Sequence, residues 1–226
     1  MIIHSVRSYV SRSRKRLTQN QSDFLDSVFP KYGINFNYSY LDFYSIFKNS
    51  NPLILEIGFG SGDSLIDMAL KNPCINFIGI ELYIHGIISC LRNIEKYNLK
   101  NIRIIFYNAM DVMLFMIPNN SLFEVQCFFP DPWPKKRHHK RRIVQNKLLK
   151  IVLKKLIFQG CLHIVTDVQD YAKSILNEIK NFTEYINLSK TGDFIVRPNS
   201  RIITRFENRG IILGNKIFDL KFRSEC

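Results

Sequence analysis

The sequence has no long apolar run. Nowhere do about 18 apolar residues follow one another without a charge, which argues against a membrane-spanning helix. Acid is scarce: Asp and Glu number 19 against 32 Lys and Arg, and none precedes Asp23. Cysteine is scarce too. The five (Cys74, Cys90, Cys127, Cys161, Cys226) are odd in number and never spaced C-x-x-C, so neither a disulfide framework nor a zinc site is expected. Several lie in apolar runs, where cysteine behaves as a small hydrophobe, and the reading is a reducing cytosol. There is one tryptophan, Trp133, and no internal repeat or low-complexity segment.

The 226 residues carry a formal net charge of +13, and the charge is clustered. One cluster is Arg7, Arg12, Arg14, Lys15 and Arg16; the other runs from Lys135 to Arg142. Concentrated cations call for a polyanionic partner, most often nucleic acid. Some of the excess is also what an AT-rich genome would produce, since Lys, Asn, Ile and Phe are abundant. The Arg- and Ser-rich start suits an organellar transit peptide as well as a basic arm that touches phosphates. We read residues 1–22 as an arm and residues 23–226 as a single domain.

Apolar runs at 53–57, 75–81, 102–107, 123–129 and 161–167 read as buried strands. Helical spacing fills 63–71, with Asp63 as its cap, then 84–97, a short stretch at 111–117 stopped by Pro118, an amphipathic basic stretch at 141–158 ending near Gly160, and 169–182. Weaker strand signals lie near 201–206 and 211–222. Alternation of continuous apolar strands with helices predicts an α/β fold: a doubly wound, mostly parallel sheet with an antiparallel C-terminal strand. In such folds ligands bind beyond the carboxyl ends of the strands. That rule gathers Gly58 to Gly62, Glu81, Asn108, Asp131 and Asp167 as candidate site residues.

Gly58, Gly60 and Gly62 follow the first strand and open a helix, and Glu81 ends the second strand, placed to accept from ribose hydroxyls. The dinucleotide pattern G-x-G-x-x-G would put a third glycine where Asp63 stands, and an acid there repels a pyrophosphate. The pattern G-x-G-x-G with Glu56 two residues earlier suits S-adenosylmethionine, which has ribose hydroxyls and an ammonium but no phosphate. A glycine turn with no ligand and a dinucleotide site remain the alternatives. Glu56 interrupts an apolar strand, a costly position unless it is paired.

Residues 128–142 read FFPDPWPKKRHHKRR. Asp-Pro-x-aromatic after a strand resembles the D/N-P-P-Y/F/W loops of methyltransferases acting on nucleic-acid nitrogens. Together with RSYVSR, LEIGFGSGDSL, FIGIE, LHIVTDVQDYA and RPNSRIITRFENRG, which span nearly the whole chain in order, this stretch resembles the bacterial tRNA (guanine-N7)-methyltransferase family. The resemblance favours the basic-arm reading of the first residues.

The resemblance implies a class I methyltransferase fold. It also implies methyl transfer from S-adenosylmethionine to N7 of a guanosine at position 46, in the tRNA variable loop. Glu56, Gly58, Gly60, Gly62, Glu81, Asn108 and Asp131 would contact the cofactor. The family has Asp where this chain has Asn108, whose side-chain carbonyl can still accept from an adenine amino group. Asp131 would be the catalytic residue. Lys135, Asp167, Thr204, Arg205, Phe206 and Glu207 would line the substrate side. The family more often has Lys where this chain has Arg205, and a guanidinium does not replace an ammonium in geometry.

Arg137, His138, His139, Lys140, Arg141 and Arg142 are expected on tRNA phosphates, giving affinity and salt dependence rather than base choice. Trp133 stacks on a base or anchors the loop. The neighbouring cations are expected to help keep Asp131 ionised. His85 and His163 read as structural. No metal is expected, and the sequence favours neither monomer nor homodimer. Two rivals remain: a methyltransferase acting on an exocyclic amine, and an RNA-binding protein on a decayed methyltransferase fold.

Overall fold

Thr18 starts the first helix of a computed structural model that describes residues 17–225. Its hydroxyl accepts from the amide of Gln21, and Gln21 Oε1 accepts from the amide of Thr18, a reciprocal cap that begins α1 (Gln19–Tyr32). The last residues expected in the arm are therefore the first turn of α1. The arginines of the arm lie outside the described residues. The chain divides into two units, one ending at Pro118 and the other beginning at Asn119.

In the first unit α1 is followed by β1 (Gly33–Ile34), α2 (Phe43–Phe47), β2 (Leu53–Ile57), α3 (Asp63–Lys71), β3 (Asn76–Glu81), α4 (Ile84–Tyr97), β4 (Ile102–Phe106) and α5 (Ala109–Phe115). The strands lie in the order β1-β4-β3-β2, all parallel. Ile54, Phe77, Ile102 and Ile104 pack with α1, α3 and α4 in one apolar core. The alternate residues Leu55, Ile78, Ile80 and Ile105 are fully buried as well, or nearly so. Burial on both faces is what the unbroken apolar runs require. The cap of α3 is Gly62, in the left-handed region, rather than Asp63, which is the first helical residue. The helix expected at 111–117 begins earlier because Asn108 caps it.

The second unit runs β5 (Leu122–Phe128), a 3-10 turn (Lys136–Arg141), α6 (Asn146–Lys155), β6 (Leu156–Thr166), α7 (Gln169–Ile179), β7 (Tyr185–Asn187), α8 (Arg205–Ile212) and β8 (Phe218–Ser224). Its order is β5-β6-β8-β7, with β5 and β6 parallel and β8 antiparallel to both β6 and β7. β8 is the expected antiparallel C-terminal strand.

Three sequence readings change here. The helix expected at 141–158 is only α6, because Ile143 and Val144 precede its cap and Leu156 already begins β6. Gly160 lies inside β6, where a Cβ would come within 2.9 Å of the Ile157 carbonyl oxygen. Residues 201–206 form no strand; Thr204 instead caps α8. No described helix is long and apolar enough to cross a membrane.

Candidate active site

The expected site residues fall into two groups, one in each unit. In the first, β2 delivers the chain into a turn where Gly58, Gly60 and Gly62 all have positive φ, at 74°, 58° and 81°. A Cβ on Gly58 or Gly60 would meet nothing within 4 Å, so that side of the turn is open. At Gly62 a Cβ would fall 2.5 Å from Cys90 Sγ, and at Gly86 one would fall 2.3 Å from the Gly60 carbonyl oxygen. The turn is thus pressed against α4 on one side and bare on the other, as a ligand cradle requires.

Glu81 closes this turn. Its Oε2 accepts from the Gly60 amide at 2.8 Å, and its Oε1 accepts from the amides of Leu82 and Tyr83. The carboxylate is held rigid yet partly exposed, with lone pairs left for further donors. Glu56 is its opposite: 3% exposed, with an Oε2 that makes no hydrogen bond among the described residues. Burial, and then the Glu81 carboxylate, push its pKa up to about 8. Buried acids are normally paired. An unpaired one beneath an open glycine turn suits a ligand carrying a cationic amine.

Asn108 changes its expected part. Its Oδ1 accepts from the amides of Met110 (2.9 Å) and Asp111 (3.3 Å), capping α5. The carbonyl expected to meet an adenine amino group is therefore engaged by backbone. The amide nitrogen can only donate.

In the second unit β5 runs into the Asp131 loop. Phe129 and Trp133, two residues to either side of Asp131, both have positive φ, at 50° and 44°. Non-glycine residues in this region are strained by about 1–3 kcal/mol each. The strain is held by the Phe129 amide on the Val165 carbonyl (2.7 Å) and by Pro130, Pro132 and Pro134. Asp131 is exposed, but the surrounding protein raises its pKa, with desolvation as the cause. The expectation that neighbouring cations hold it down is not met, because desolvation decides the direction of the shift.

The 3-10 turn sorts the basic run. Lys135, Lys136, Arg137 and Lys140 are exposed; His138, His139 and Arg141 are half-buried. The His138 imidazole is lowered by desolvation and then by the charges of Arg141, Arg137, Lys135 and Lys140. The Arg141 guanidinium lies 5.0 Å over the Trp133 ring and His138 stands edge-on to it at 5.9 Å, so Trp133 anchors the turn.

Arg142 departs from the expected phosphate contact. It is buried; its Nε donates to the Pro132 carbonyl (2.9 Å), its Nη2 donates to Asp170 (2.6 Å), and its guanidinium sits 4.6 Å over Tyr171. A guanidinium only donates, so the 3.1 Å contact to His139 Nε2 makes that nitrogen an acceptor. Arg142 ties the basic run back to the residue after Asp131.

The start of α8 meets the same loop. Phe206 packs on Phe129 with centroids 5.3 Å apart. Thr204 caps α8 by accepting from the Glu207 amide (3.2 Å). Gly210 lies beside Asp167, whose Oδ2 accepts from Asn215 (2.9 Å). Asp131 and Asp167 each follow one of two paired strands, with Phe128 opposite Val165. Arg205 is exposed at the start of α8. Glu207 is not open to a ligand: it is 1% exposed, and both oxygens accept from Arg201 at 2.6 and 2.9 Å.

Arg201 was not singled out by the sequence, and neither was Asp219. Arg201 also bonds Asp219 (2.9 Å), Asp219 bonds His163 (2.9 Å), and Glu124 bonds Lys221 (2.7 Å). His163 is structural, as expected. The overlooked signal was an acid inside an apolar strand: Glu124 in β5 and Asp219 in β8.

Residues 50–220 match the family model described as "Putative methyltransferase". A tRNA (guanine-N(7)-)-methyltransferase of Buchnera aphidicola subsp. Baizongia pistaciae is 59% identical over 99% of this chain and 92% of its own length. One from Photorhabdus laumondii is 43% identical over 98% and 92%. A putative methyltransferase of Streptococcus mutans, solved in complex with SAH, shares the fold, with a TM-score of 0.52 and 13% identity over 93% of this chain and 98% of its own. A capped glycine turn after the first core strand and an acid on a strained proline loop thus occur in a chain that matches these relatives from end to end: it belongs to the tRNA (guanine-N(7)-)-methyltransferase family.

Proposed function

We propose that the protein transfers a methyl group from S-adenosylmethionine to N7 of the guanosine at position 46 in the variable loop of tRNA, in the cytoplasm. The observation that carries the reading is Glu56, a buried carboxylate with an unpartnered oxygen beneath a glycine turn open on its far side. Glu56 fits the cofactor's ammonium, Glu81 its ribose hydroxyls, and the open face of Gly58 and Gly60 leaves room for its backbone. Asn108, which follows β4 and caps α5, is assigned to the adenine side. The substrate class comes from the relatives' names.

When bound, the cofactor supplies an electrophilic sulfonium methyl. Guanine N7 has an in-plane lone pair and no proton, so the protein need not remove one. What the protein must do is align the base and stabilise the charge that develops on it. Stabilising that charge falls to Asp131. Positive charge gathers on the purine only as the methyl moves, so a carboxylate there favours the transition state over the neutral base. Asp131 and Asp167 are acceptors for guanine's N1–H and N2–H₂, which adenine lacks. Lys135, Thr204, Arg205 and Phe206 line the base side, and Glu207 acts from beneath by holding the start of α8. Lys136, Arg137 and Lys140 hold phosphates.

The test is methyl transfer to unmodified tRNA beside a transcript with adenosine at position 46. Nuclease digestion and mass spectrometry should find N7-methylguanosine, and reduction with aniline should cut the first RNA only. Methylation at an exocyclic amine, or equal cutting of both transcripts, would overturn the reading.

A further inference from the structure

The first unit holds an aromatic cluster that the site above does not use. β1 lies parallel to β4 with Ile34 opposite Ile105, so the residues that follow each strand leave at the same edge. There Phe36 and Tyr107 stack face to face, with centroids 3.8 Å apart and planes 9° from parallel. Tyr38 stands edge-on to Phe36 at 5.0 Å and to Phe115 of α5 at 5.1 Å. The turn carrying Tyr38 is pinned by Asn37, whose Oδ1 accepts from the amide and the hydroxyl of Ser39. Yet Tyr38 keeps 78% of its surface exposed. A large ring is thus held in solvent by local structure, at the carboxyl edge of a parallel sheet, where ligands bind.

Three features indicate what covers it. Tyr107 immediately precedes Asn108, so the cluster continues the edge that carries a proposed cofactor residue. The exposed ring of Tyr38 is flanked by the exposed polar residues Asn35, Asn37 and Ser39 rather than by aliphatic side chains, which suits a polar, flat partner over a protein core. The chain carries a net charge of +13, which disfavours a second copy and favours a polyanion. We propose that Tyr38, supported by Phe36, Phe115 and Tyr107, is a stacking platform for an unpaired nucleobase of the tRNA. The proposal rests on the tRNA reading above. Base–aromatic stacking tolerates any base and adds affinity without neutralising phosphate.

The experiment compares full-length wild type, Tyr38→Ala and Tyr38→Trp for binding of an unmodified tRNA transcript across a salt series. Tyr38→Ala should weaken binding roughly 5- to 150-fold, with an unchanged slope of log affinity against log salt. Tyr38→Trp should bind at least as tightly as wild type. S-adenosylmethionine affinity and melting temperature should not move, because Tyr38 is largely exposed. Normal tRNA binding by Tyr38→Ala, in a preparation whose wild type methylates tRNA, overturns the platform and leaves the enzyme reading standing. A matching loss of S-adenosylmethionine affinity would make the ring a cofactor contact. A wild-type dimer that Tyr38→Ala splits would make it a self-association surface. Either result overturns the proposal. A wild type that neither binds nor methylates tRNA overturns the reading on which it rests.

Discussion

Arg142 donates from Nε to the carbonyl of Pro132 at 2.9 Å, so the last cation of the basic run holds the residue that follows Asp131. It acts as a positioning residue rather than a phosphate contact. Arg142→Ala strands that carbonyl and removes a buried cation from the face of Tyr171, and should cost about 2–4 kcal/mol of stability in urea unfolding. Its kcat should fall more than its affinity for tRNA. Arg142→Lys should not rescue it, because one ammonium cannot serve Pro132 and Asp170 in the fork geometry. By contrast, Lys136→Ala and Arg137→Ala should leave kcat near normal and each reduce the salt slope of tRNA binding by about 1. A reduced slope with normal kcat in Arg142→Ala would reverse this assignment.

Asp131 needs its charge to stabilise a cationic purine. Asp131→Asn keeps the shape of the side chain and removes the charge, so kcat should fall on the order of 10²- to 10³-fold while tRNA binding changes little. Desolvation by the surrounding protein raises the folded pKa, so the ionised, active form is lost as pH falls through a value above that of an ordinary aspartate. The acid limb of kcat/KM, which reports the free protein, should therefore lie above the ordinary aspartate value and vanish in Asp131→Asn. A limb at the ordinary value, or one that survives the substitution, would assign the titration elsewhere.

The core from β2 to β4 was legible because each strand is an unbroken apolar run between turn residues, and the two helices between them carry one apolar stripe each. Elsewhere the signals competed. Ile143 and Val144 stand at helical spacing, yet the bonds of Arg142 and Gln145 hold that stretch out of α6, and β6 follows α6 with no turn residue to mark the change. Thr204 and Glu207 form the Ser/Thr-x-x-Glu pattern that opens a helix, but the isoleucines before them suggested a strand. Thr18 and Gln21 carried the same signal for α1. Arg142 was misread because a run of cations does not show which one turns inward. Its partners, Asp170 and Tyr171, lie almost thirty positions later, and only the fold brings them back.

Arg201 is the hub of the buried charges under α8, bonding Glu207 and Asp219, both almost fully buried. Arg201→Met leaves Glu207 without its guanidinium and Asp219 with only His163, and should cost about 3–5 kcal/mol. Adding Glu207→Leu should recover part of that loss, and a double-mutant cycle reads the coupling. For Asp219, burial pushes the pKa up, but the hydrogen bond from His163 and the charge and hydrogen bond of Arg201 outweigh it, leaving the pKa lowered. A lowered carboxylate adds stability above its unfolded pKa and loses it as pH falls through the folded one. Asp219→Asn should therefore be less stable than wild type at neutral pH, with the gap closing in acid. A gap constant with pH would mean the carboxylate charge is not what stabilises.

Glu56 inverts that sign. Its pKa is pushed up to about 8 from the ordinary glutamate value of 4.5, so the folded protein keeps a proton that the unfolded chain has lost. Such a group contributes stability that is full below the unfolded pKa and disappears as pH rises through the folded one. Without ligand, wild type should lose on the order of 3–4 kcal/mol relative to Glu56→Gln between pH 5 and pH 8. Binding of S-adenosylmethionine reverses the preference, because its ammonium needs the ionised acid. At pH 7 binding should release about one proton, measured by calorimetry in buffers of different ionisation enthalpy, and affinity should rise with pH until Glu56 is ionised in the free protein. Glu56→Gln should bind more weakly and release none. Wild-type binding with no proton release would show that Glu56 is already ionised in the free protein, and its unpartnered oxygen would need another account.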